Sequence, residues 1–206
     1  MKGKLITFEG TEGSGKTSVI KRIKSYYEEK GFDVLTTREP GGITISEKIR
    51  SILLDKANYE MDPRTEALLF AAARRQHLVE IIIPALEAGK IVLCDRYVDS
   101  SLIYQGYARG IGIDKVYAIN YFAIEDALPD LTVFVDVRPE VGLDRVFSAP
   151  GREVNRLDLE NLAFHKKIHQ GYLELVKKYD RIKRVDGEQP LEDVVKDTVK
   201  LIDQLL

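Results

Sequence analysis

The chain has 206 residues, of which 44% are hydrophobic, so its length and composition suit one domain with a sizeable core. Its 31 basic and 33 acidic side chains give a formal net charge of −2, which argues against a binder of nucleic acid or anionic membranes. The longest apolar run, Ala67–Ala73, is too short to span a bilayer, and no signal peptide is visible. A single cysteine excludes an internal disulfide framework. We therefore expect a soluble, cytoplasmic protein that forms one domain over residues 1–206.

Short β-branched segments alternate with longer helical patterns along the chain. In chain order the predicted elements are a strand at Lys4–Glu9, a helix at Thr17–Lys30, a strand at Asp33–Arg38, helices at Ile45–Leu54 and Pro63–Ala88, a strand at Ile91–Asp95, a helix at Asp114–Ala127, a strand at Leu131–Val137, a helix at Leu159–Lys178, a strand at Ile182–Asp186 and a helix at Leu191–Leu206. This alternation predicts an α/β fold with a parallel five-stranded sheet wrapped by helices. Ligands of such sheets bind outside the carboxyl ends of the strands.

A glycine-rich segment lies between the first predicted strand and the first predicted helix. It fits the pattern G-x-x-x-x-G-K-[ST] and consists of Gly10, Thr11, Glu12, Gly13, Ser14, Gly15, Lys16 and Thr17. The glycines let backbone N–H groups turn towards an anion, Lys16 can reach the β- and γ-phosphates, and the Thr17 hydroxyl can bind Mg²⁺. The motif predicts a P-loop that binds a nucleoside triphosphate.

The third predicted strand is apolar and ends in a carboxylate, Asp95. Such a Walker-B arrangement holds Mg²⁺, often through water, and together with Thr17 it predicts the metal site. Cys94 lies within the same strand and is expected to be a small buried side chain.

A P-loop alone leaves three classes of protein open: a small-molecule kinase, a GTPase switch, and a motor or transport ATPase. The chain has no N-K-x-D segment for guanine, and it is short for a motor. A kinase with a phosphorylated acceptor needs a second anion site, because the two substrates repel each other. The arginines fit that need. Arg38 ends the second predicted strand, Arg96 directly follows the third, and Arg74 lies on the long helix. Three more flank a Pro/Gly break that predicts a lid at about 148–157, namely Arg145, Arg152 and Arg156.

Several of these segments resemble thymidylate kinase, the P-loop enzyme that phosphorylates dTMP. They are the Arg-Glu-Pro-Gly-Gly sequence at 38–42, the Asp-Arg-Tyr sequence at 95–97 with Ser100 and Ser101, and the Tyr-Gln-Gly sequence at 104–106. The similarity covers most of the chain, from Leu5 to about Asp158. It implies Mg²⁺ with ATP as the phosphoryl donor, dTMP as the acceptor, a lid and usually a homodimer.

The resemblance also implies roles for individual residues at the acceptor. Residues matching the sugar and phosphate positions are Glu12, Arg38, Glu39, Pro40, Arg50 and Arg96. The family often has a cis peptide bond at the position of Glu39–Pro40. Arg50 and Arg96 match the arginines that hold the acceptor phosphate.

The acceptor base has matching residues too. Phe70 matches a ring that stacks on thymine, Arg74 a donor to its O4, Ser101 and Gln105 polar contacts to the base edge, and Tyr104 a ring that disfavours ribose. Because Phe70 and Arg74 are four residues apart on a predicted helix, they should share one face. Stacking of a base on an aromatic ring contributes about 1–3 kcal/mol.

The P-loop carries Glu12 and no arginine, whereas the predicted lid carries Arg152 and Arg156; this pattern resembles the bacterial form of the family. We therefore expect Lys16, Arg96, Glu12 and the two lid arginines to act in catalysis, and Arg145 to lie against adenine. No general base is expected, since the acceptor is already an oxyanion. Another nucleoside monophosphate kinase and a P-loop switch NTPase stay open as alternatives.

Two further features have simpler interpretations. His165 and His169 are four residues apart but lack an acidic ligand, and we expect a solvated helix face there instead of a metal site. The amphipathic C-terminal helix is expected to pack on the sheet.

Overall fold

The computed structural model describes residues 3–148 and 155–206 of the chain. Its sheet consists of five parallel strands, which are β1 (Lys4–Glu9), β2 (Val34–Arg38), β3 (Ile91–Asp95), β4 (Leu131–Asp136) and β5 (Ile182–Asp186). They lie in the order β2-β3-β1-β4-β5, so each crossover between parallel neighbours contains helix. The predicted fold class and the position of every predicted strand are confirmed, with end points that agree within one residue.

Helices cover the connections between the strands. They are α1 (Lys16–Glu29), α2 (Thr44–Leu54), α3 (Pro63–His77), α4 (Ile83–Glu87), α5 (Val98–Ser101), α6 (Ile113–Ile124), α7 (Pro139–Ser148), α8 (Leu162–Lys178) and α9 (Leu191–Asp203), with a short 3₁₀ turn at Lys56–Asn58 and π-helical segments at Leu78–Ile82 and Leu102–Ala108. None of the described helices is both long and apolar enough to cross a membrane.

The long predicted helix Pro63–Ala88 is interrupted by a π-helical turn at Leu78–Ile82. Pro84 follows this turn and has no N–H to donate to a carbonyl one turn earlier. The wider π-helical turn therefore lies where the α-helical hydrogen-bond pattern loses a donor. The helical segments at 98–108 and Pro139–Ser148 were absent from the predicted helices.

Hydrophobic residues fill both faces of the sheet. On one face, Ile23 of α1 and Ile202 of α9 pack with Phe8 and Val133 of the central strands. This confirms that the amphipathic C-terminal helix packs on the sheet. Cys94 is fully buried, as expected, and its thiol donates to the Arg96 carbonyl at 3.1 Å.

The register of the sheet brings three strand ends together. Asp95, the last residue of β3, is paired with Phe8 of β1 on one side and with Arg38 of β2 on the other. The loops that follow these three strands therefore start side by side at the carboxyl edge of the sheet. This edge holds the P-loop, the Arg-Glu-Pro segment and the Asp-Arg-Tyr segment.

Candidate active site

The P-loop connects β1 to α1 through backbone conformations that favour glycine. Gly13 and Gly15 have φ values of 71° and 89°, in the left-handed region. A Cβ atom at Gly13 would lie 2.0 Å from the carbonyl oxygen of Gly142 in α7. The loop can therefore turn tightly and pack on α7 only without a side chain at position 13.

Lys16 directly follows this loop as the first residue of α1, and it is buried. Its Nζ donates to the carbonyls of Gly10 and Thr11 at 3.2 and 3.1 Å and to Ser14 Oγ at 3.1 Å. Burial, reinforced by the nearby Arg96 cation, lowers the pKa of Lys16 to about 8. The ammonium is thus held among polar atoms of the loop itself, in a position from which it can exchange those contacts for phosphate oxygens.

Thr17 and Asp95 meet beside the loop, where Thr17 Oγ1 donates to Asp95 Oδ2 at 2.9 Å. A hydroxyl and one carboxylate are hard oxygen ligands, which suit Mg²⁺ when water and phosphates complete its shell. Within residues 3–148 and 155–206, no cluster of three or more His, Cys, Asp or Glu could hold a metal by protein ligands alone. The donor set therefore fits an ion that arrives with a nucleotide.

A single cavity of about 450 Å³ joins the P-loop to the predicted acceptor residues. Sixteen of the residues singled out from the sequence line it: Glu12, Gly13, Ser14, Gly15, Lys16, Thr17, Arg38, Glu39, Pro40, Arg50, Phe70, Asp95, Arg96, Ser101, Tyr104 and Gln105. Asn155, Leu157 and Asp158 also line it and were not predicted. Two regions that are distant in the sequence therefore face one another across one space.

Arg96 has a φ of 68°, which is uncommon for a residue other than glycine. Its N–H donates to the Phe8 carbonyl at 2.9 Å. The following turn is held by Glu9, whose carboxylate accepts from the backbone N–H groups of Tyr97 and Ser100 at 2.8 and 3.2 Å. Burial raises the pKa of Glu9. These contacts fix the backbone that carries the Arg96 side chain into the cavity.

Glu12 is the charged partner of Arg96. Its carboxylate accepts from Arg96 Nη2 at 3.0 Å and from the Tyr104 hydroxyl at 2.6 Å. His165 Nδ1 lies 3.2 Å from the other oxygen. Burial alone would raise the pKa of Glu12, but the Arg96 charge and the bonds to His165 and Tyr104 lower it to about 2.

The expectation of a solvated face for His165 and His169 was wrong. His165 is buried against Glu12, and His169 Nε2 lies 2.5 Å from Oδ1 of the buried Asp136. Both rings lie on the inner side of α8, because the chain places buried carboxylates from the P-loop and β4 opposite this helix. The four-residue spacing showed that the two rings share a face, but not which way that face points.

Arg74 lies behind the cavity wall and is almost completely buried. Its guanidinium donates to Glu39 Oε2 at 2.7 Å, to Ser101 Oγ at 3.1 Å, to the Tyr97 carbonyl at 2.9 Å and to Asn120 Oδ1. The other oxygen of Glu39 lies 3.0 Å from His77 Nδ1. Arg74 therefore holds two residues that line the cavity but is not itself a lining residue.

Two more arginines donate hydrogen bonds to the backbone at Pro40. Nη1 of Arg38 and Nη1 of Arg50 each donate to the Pro40 carbonyl at 2.9 Å. The Glu39–Pro40 peptide bond is cis, as the resemblance implied. Both guanidinium groups therefore lie at the same rim of the cavity.

The two lid arginines that the structure describes, Arg145 and Arg156, have different partners. Arg152 lies outside the described residues, as does most of the predicted lid at 148–157. Arg145 donates weakly to the carbonyls of Gly13 and Gly187, at 3.5 and 3.3 Å. Arg156 is buried, with donors to the Leu53 carbonyl and to Glu66. Neither Arg145 nor Arg156 lines the cavity.

Sequence reasoning missed four buried partners of the predicted residues, namely Glu9, Glu66, His77 and His165. A signal existed for His77, which is three residues after Arg74 and so shares its helix face. Glu9, the last residue of a strand that is otherwise apolar, could also have been noticed beside the P-loop. Glu66 and His165 gain their roles from contacts across the fold.

A P-loop that faces an arginine-rich pocket across one cleft defines a phosphotransferase of the nucleoside monophosphate kinase class. The sequence matches the thymidylate kinase family over residues 8–198. It is 57% identical to a protein named thymidylate kinase from Bacillus cytotoxicus over 100% of both chains. It is 58% identical to the same-named proteins of Oceanobacillus iheyensis, over 100% of this chain and 92% of the relative, and of Clostridium novyi, over 94% and 95%. The chain belongs to the thymidylate kinase family, and these relatives are bacterial.

Replacement of Lys16 by alanine should lower the rate of phosphoryl transfer by about 100-fold or more, because a preorganised charge at the phosphates is lost. The rate is measured with ATP and an acceptor nucleotide, and circular dichroism checks that the variant is folded. Lys21→Ala, on the exposed side of the same helix, is the matched control and should keep its activity. Full activity of the folded Lys16 variant would contradict the role of the P-loop.

Glu12 should make the stability of the protein depend on pH. Its pKa is about 2 in the fold and ordinarily near 4.5, so its stabilisation is complete above about pH 4.5 and is lost as the pH falls towards 2. Glu12→Gln lacks this titration. We expect the difference in unfolding free energy between wild-type and variant to shrink by about 1 kcal/mol from about pH 6 to about pH 3.5. Urea unfolding at both pH values measures it, and a difference that stays constant would contradict the prediction.

Proposed function

We propose that this chain transfers the γ-phosphoryl group of ATP, bound with Mg²⁺, to the 5′-phosphate of dTMP, giving dTDP and ADP on the route to dTTP. The observation that carries the proposal is the shared cavity. Its lining includes the P-loop lysine, Lys16, together with Arg38, Arg50, Arg96 and Phe70.

The charges in this cavity suit two anions that must meet end to end. ATP carries about four negative charges and a monophosphate about two more. Lys16 and Arg96 both line the cavity, so cations are available to both substrates. Catalysis by positioning and by neutralisation of charge fits this arrangement, since the acceptor oxygen needs no general base.

The roles of individual residues follow from their places. Thr17 and Asp95 would hold Mg²⁺, which when bound neutralises charge on the phosphates. Lys16 would bind the β- and γ-phosphates. Arg50 and Arg96 would hold the acceptor phosphate, and Glu12 would orient Arg96.

The lid arginines complete the proposed catalytic set. Arg152 and Arg156 are proposed to stabilise the transferred group, and Arg145 is proposed to lie against adenine. In the described structure Arg156 is bound to Glu66, so this role requires it to exchange that partner when the nucleotides bind.

The acceptor base would lie against Phe70, which is half-buried in the cavity wall. Ser101 and Gln105 line the same region and would contact the base edge, while Tyr104 would exclude a ribose 2′-hydroxyl. The Arg74 guanidinium donates through Nη1 to Ser101 Oγ, and Ser101 lines the cavity. Arg74 is the proposed donor to thymine O4.

A panel of nucleoside monophosphates tests this function. dTMP should have the highest kcat/KM with ATP, and dUMP should follow, because it loses one methyl contact of about 1 kcal/mol. dCMP, AMP and GMP should be at least about 100-fold poorer, because their polar groups do not match the site. A preference for dCMP, AMP or GMP would favour another nucleoside monophosphate kinase, and slow hydrolysis of ATP with no acceptor would favour a switch protein.

The homodimer that the resemblance implied is part of the proposal. Helices α3 and α6 pack against each other and expose three large apolar residues, Leu68, Tyr121 and Phe122, the last with 86% of its surface accessible. A second copy of the chain is the proposed cover for this face.

Phe122→Asp should shift the protein from dimer to monomer in sedimentation velocity, because a charge at the centre of an apolar interface is left without water or a partner. Phe147→Asp is the control, since Phe147 is also exposed but lies on α7. A wild-type protein that sediments as a monomer, or a Phe122 variant that stays dimeric, would contradict the proposed interface.

We also propose that the protein works in the cytoplasm. ATP and dTMP are charged nucleotides, and a kinase that uses both must share their compartment. Fractionation of cells that express the tagged full chain tests this location.

A further inference from the structure

Glu66 is a buried acid that the proposed reaction does not use. It lies on α3, four residues before Phe70, with 1% of its surface exposed. Its Oε1 accepts from Gln105 Nε2 at 2.8 Å. Its Oε2 accepts from Arg156 Nη2, and Arg109 lies at 3.4 Å from both oxygens. A full set of donors therefore surrounds this carboxylate.

The two arginines keep Glu66 ionised inside the protein. Burial alone would raise the pKa of Glu66, but Arg109, Gln105 and Arg156 lower it below its ordinary value. An ionised carboxylate can only accept hydrogen bonds. Any amide that packs against Glu66 must therefore present its NH₂ group.

This restriction decides the orientation of the Gln105 amide. Its Nε2 is used by Glu66, while the side chain also lines the cavity beside Phe70 and Ser101. Among the described residues, no group donates a hydrogen bond to Gln105 Oε1. Glu66 accepts one of the two Nε2 hydrogens, and the carbonyl oxygen is the acceptor of this amide that stays available to a ligand in the cavity.

We propose that Glu66 is a positioning residue for base selection: it fixes the Gln105 amide so that a carbonyl oxygen, and not an NH₂ group, faces the acceptor base. A base whose ring nitrogen carries a hydrogen, such as thymine or uracil at N3, can donate to this oxygen. Cytosine has a lone pair at N3, which would face the lone pairs of the oxygen. The inference rests on the proposed function, because it assumes that a pyrimidine lies against Phe70.

Replacement of Glu66 by glutamine tests the proposal, because a neutral amide can either donate to Gln105 or accept from it. The Gln105 amide then has no fixed orientation. We expect the ratio of kcat/KM for dTMP to that for dCMP to fall at least tenfold, mainly through a higher KM for dTMP, while the KM for ATP stays within about twofold. A folded variant that keeps the ratio within about threefold of wild-type would overturn the proposal.

Two further variants separate positioning from loss of structure. Arg109→Gln removes one cation from the same carboxylate, but Arg156 still donates to Oε2 and keeps Glu66 ionised, and Oε1 stays available to Gln105, so the dTMP to dCMP ratio should stay near the wild-type value. In the background Gln105→Leu, the change Glu66→Gln should no longer alter the ratio, because its effect requires the amide. Equal effects of Glu66→Gln with and without Gln105 would show a merely structural role and would overturn the proposal.

A binding measurement keeps the proposal testable if the Glu66 variants fail to fold. Calorimetry compares dUMP with 3-deaza-dUMP, which has C–H in place of N3–H and a hydroxyl at position 4, in wild-type protein and in Gln105→Leu. We expect the analogue to bind at least tenfold more weakly than dUMP to wild-type protein, and most of this difference to be lost in Gln105→Leu. Equal or tighter binding of the analogue to wild-type protein, or the same difference in both proteins, would overturn the proposal. If wild-type protein does not phosphorylate dTMP at all, the proposed function fails, whereas activity on dTMP with an unchanged ratio in Glu66→Gln contradicts only the role of Glu66.

Discussion

The arrangement at the carboxyl edge of the sheet depends on neutralising buried cations with buried carboxylates. Arg96 is paired with Glu12, Arg74 with Glu39, and Arg156 with Glu66, and each of these acids is buried. A guanidinium taken out of water without a partner would destabilise the fold by several kcal/mol. A cleft with several arginines for two nucleotides is therefore stable only when buried carboxylates pair with those arginines.

The same pairing gives the site its rigidity. Each carboxylate accepts from more than one group, so that removing one side chain leaves several donors unsatisfied. Glu12 joins the P-loop to Arg96, Tyr104 and His165, and Glu39 joins the cis-proline loop to Arg74 and His77. Such networks hold side chains in one geometry, which is what catalysis by positioning needs. The unsatisfied Nε2 of the buried His165 is the one exception among buried side-chain polar atoms of the described residues.

The sheet explains why these networks come together where they do. Parallel strands end at the same edge, and the pairing of Asp95 with both Phe8 and Arg38 aligns three loops from distant parts of the sequence. Helices α3 and α8 then close the edge from two sides. They supply Arg74, His77 and Glu66 on one side and His165 on the other. The site is therefore a product of strand register and of the inner faces of these two helices.

Most of the acceptor residues that line the cleft were matched through the resemblance to a known family, whereas patterns in the sequence were enough to predict the strands and the P-loop. These features depend on local patterns: an apolar β-branched run predicts a strand, and the spacing of glycine, lysine and threonine predicts a phosphate-binding turn. Which polar residues are buried, and what they contact, depends on how distant segments of the chain pack against one another. His165 was predicted to be solvated and Glu66 was not singled out, because periodicity identifies the residues that share a face but not the element that packs against that face. The same limit applies to Arg74, whose helical position was clear but whose bonds to Glu39, Ser101 and Asn120 come from three other parts of the chain.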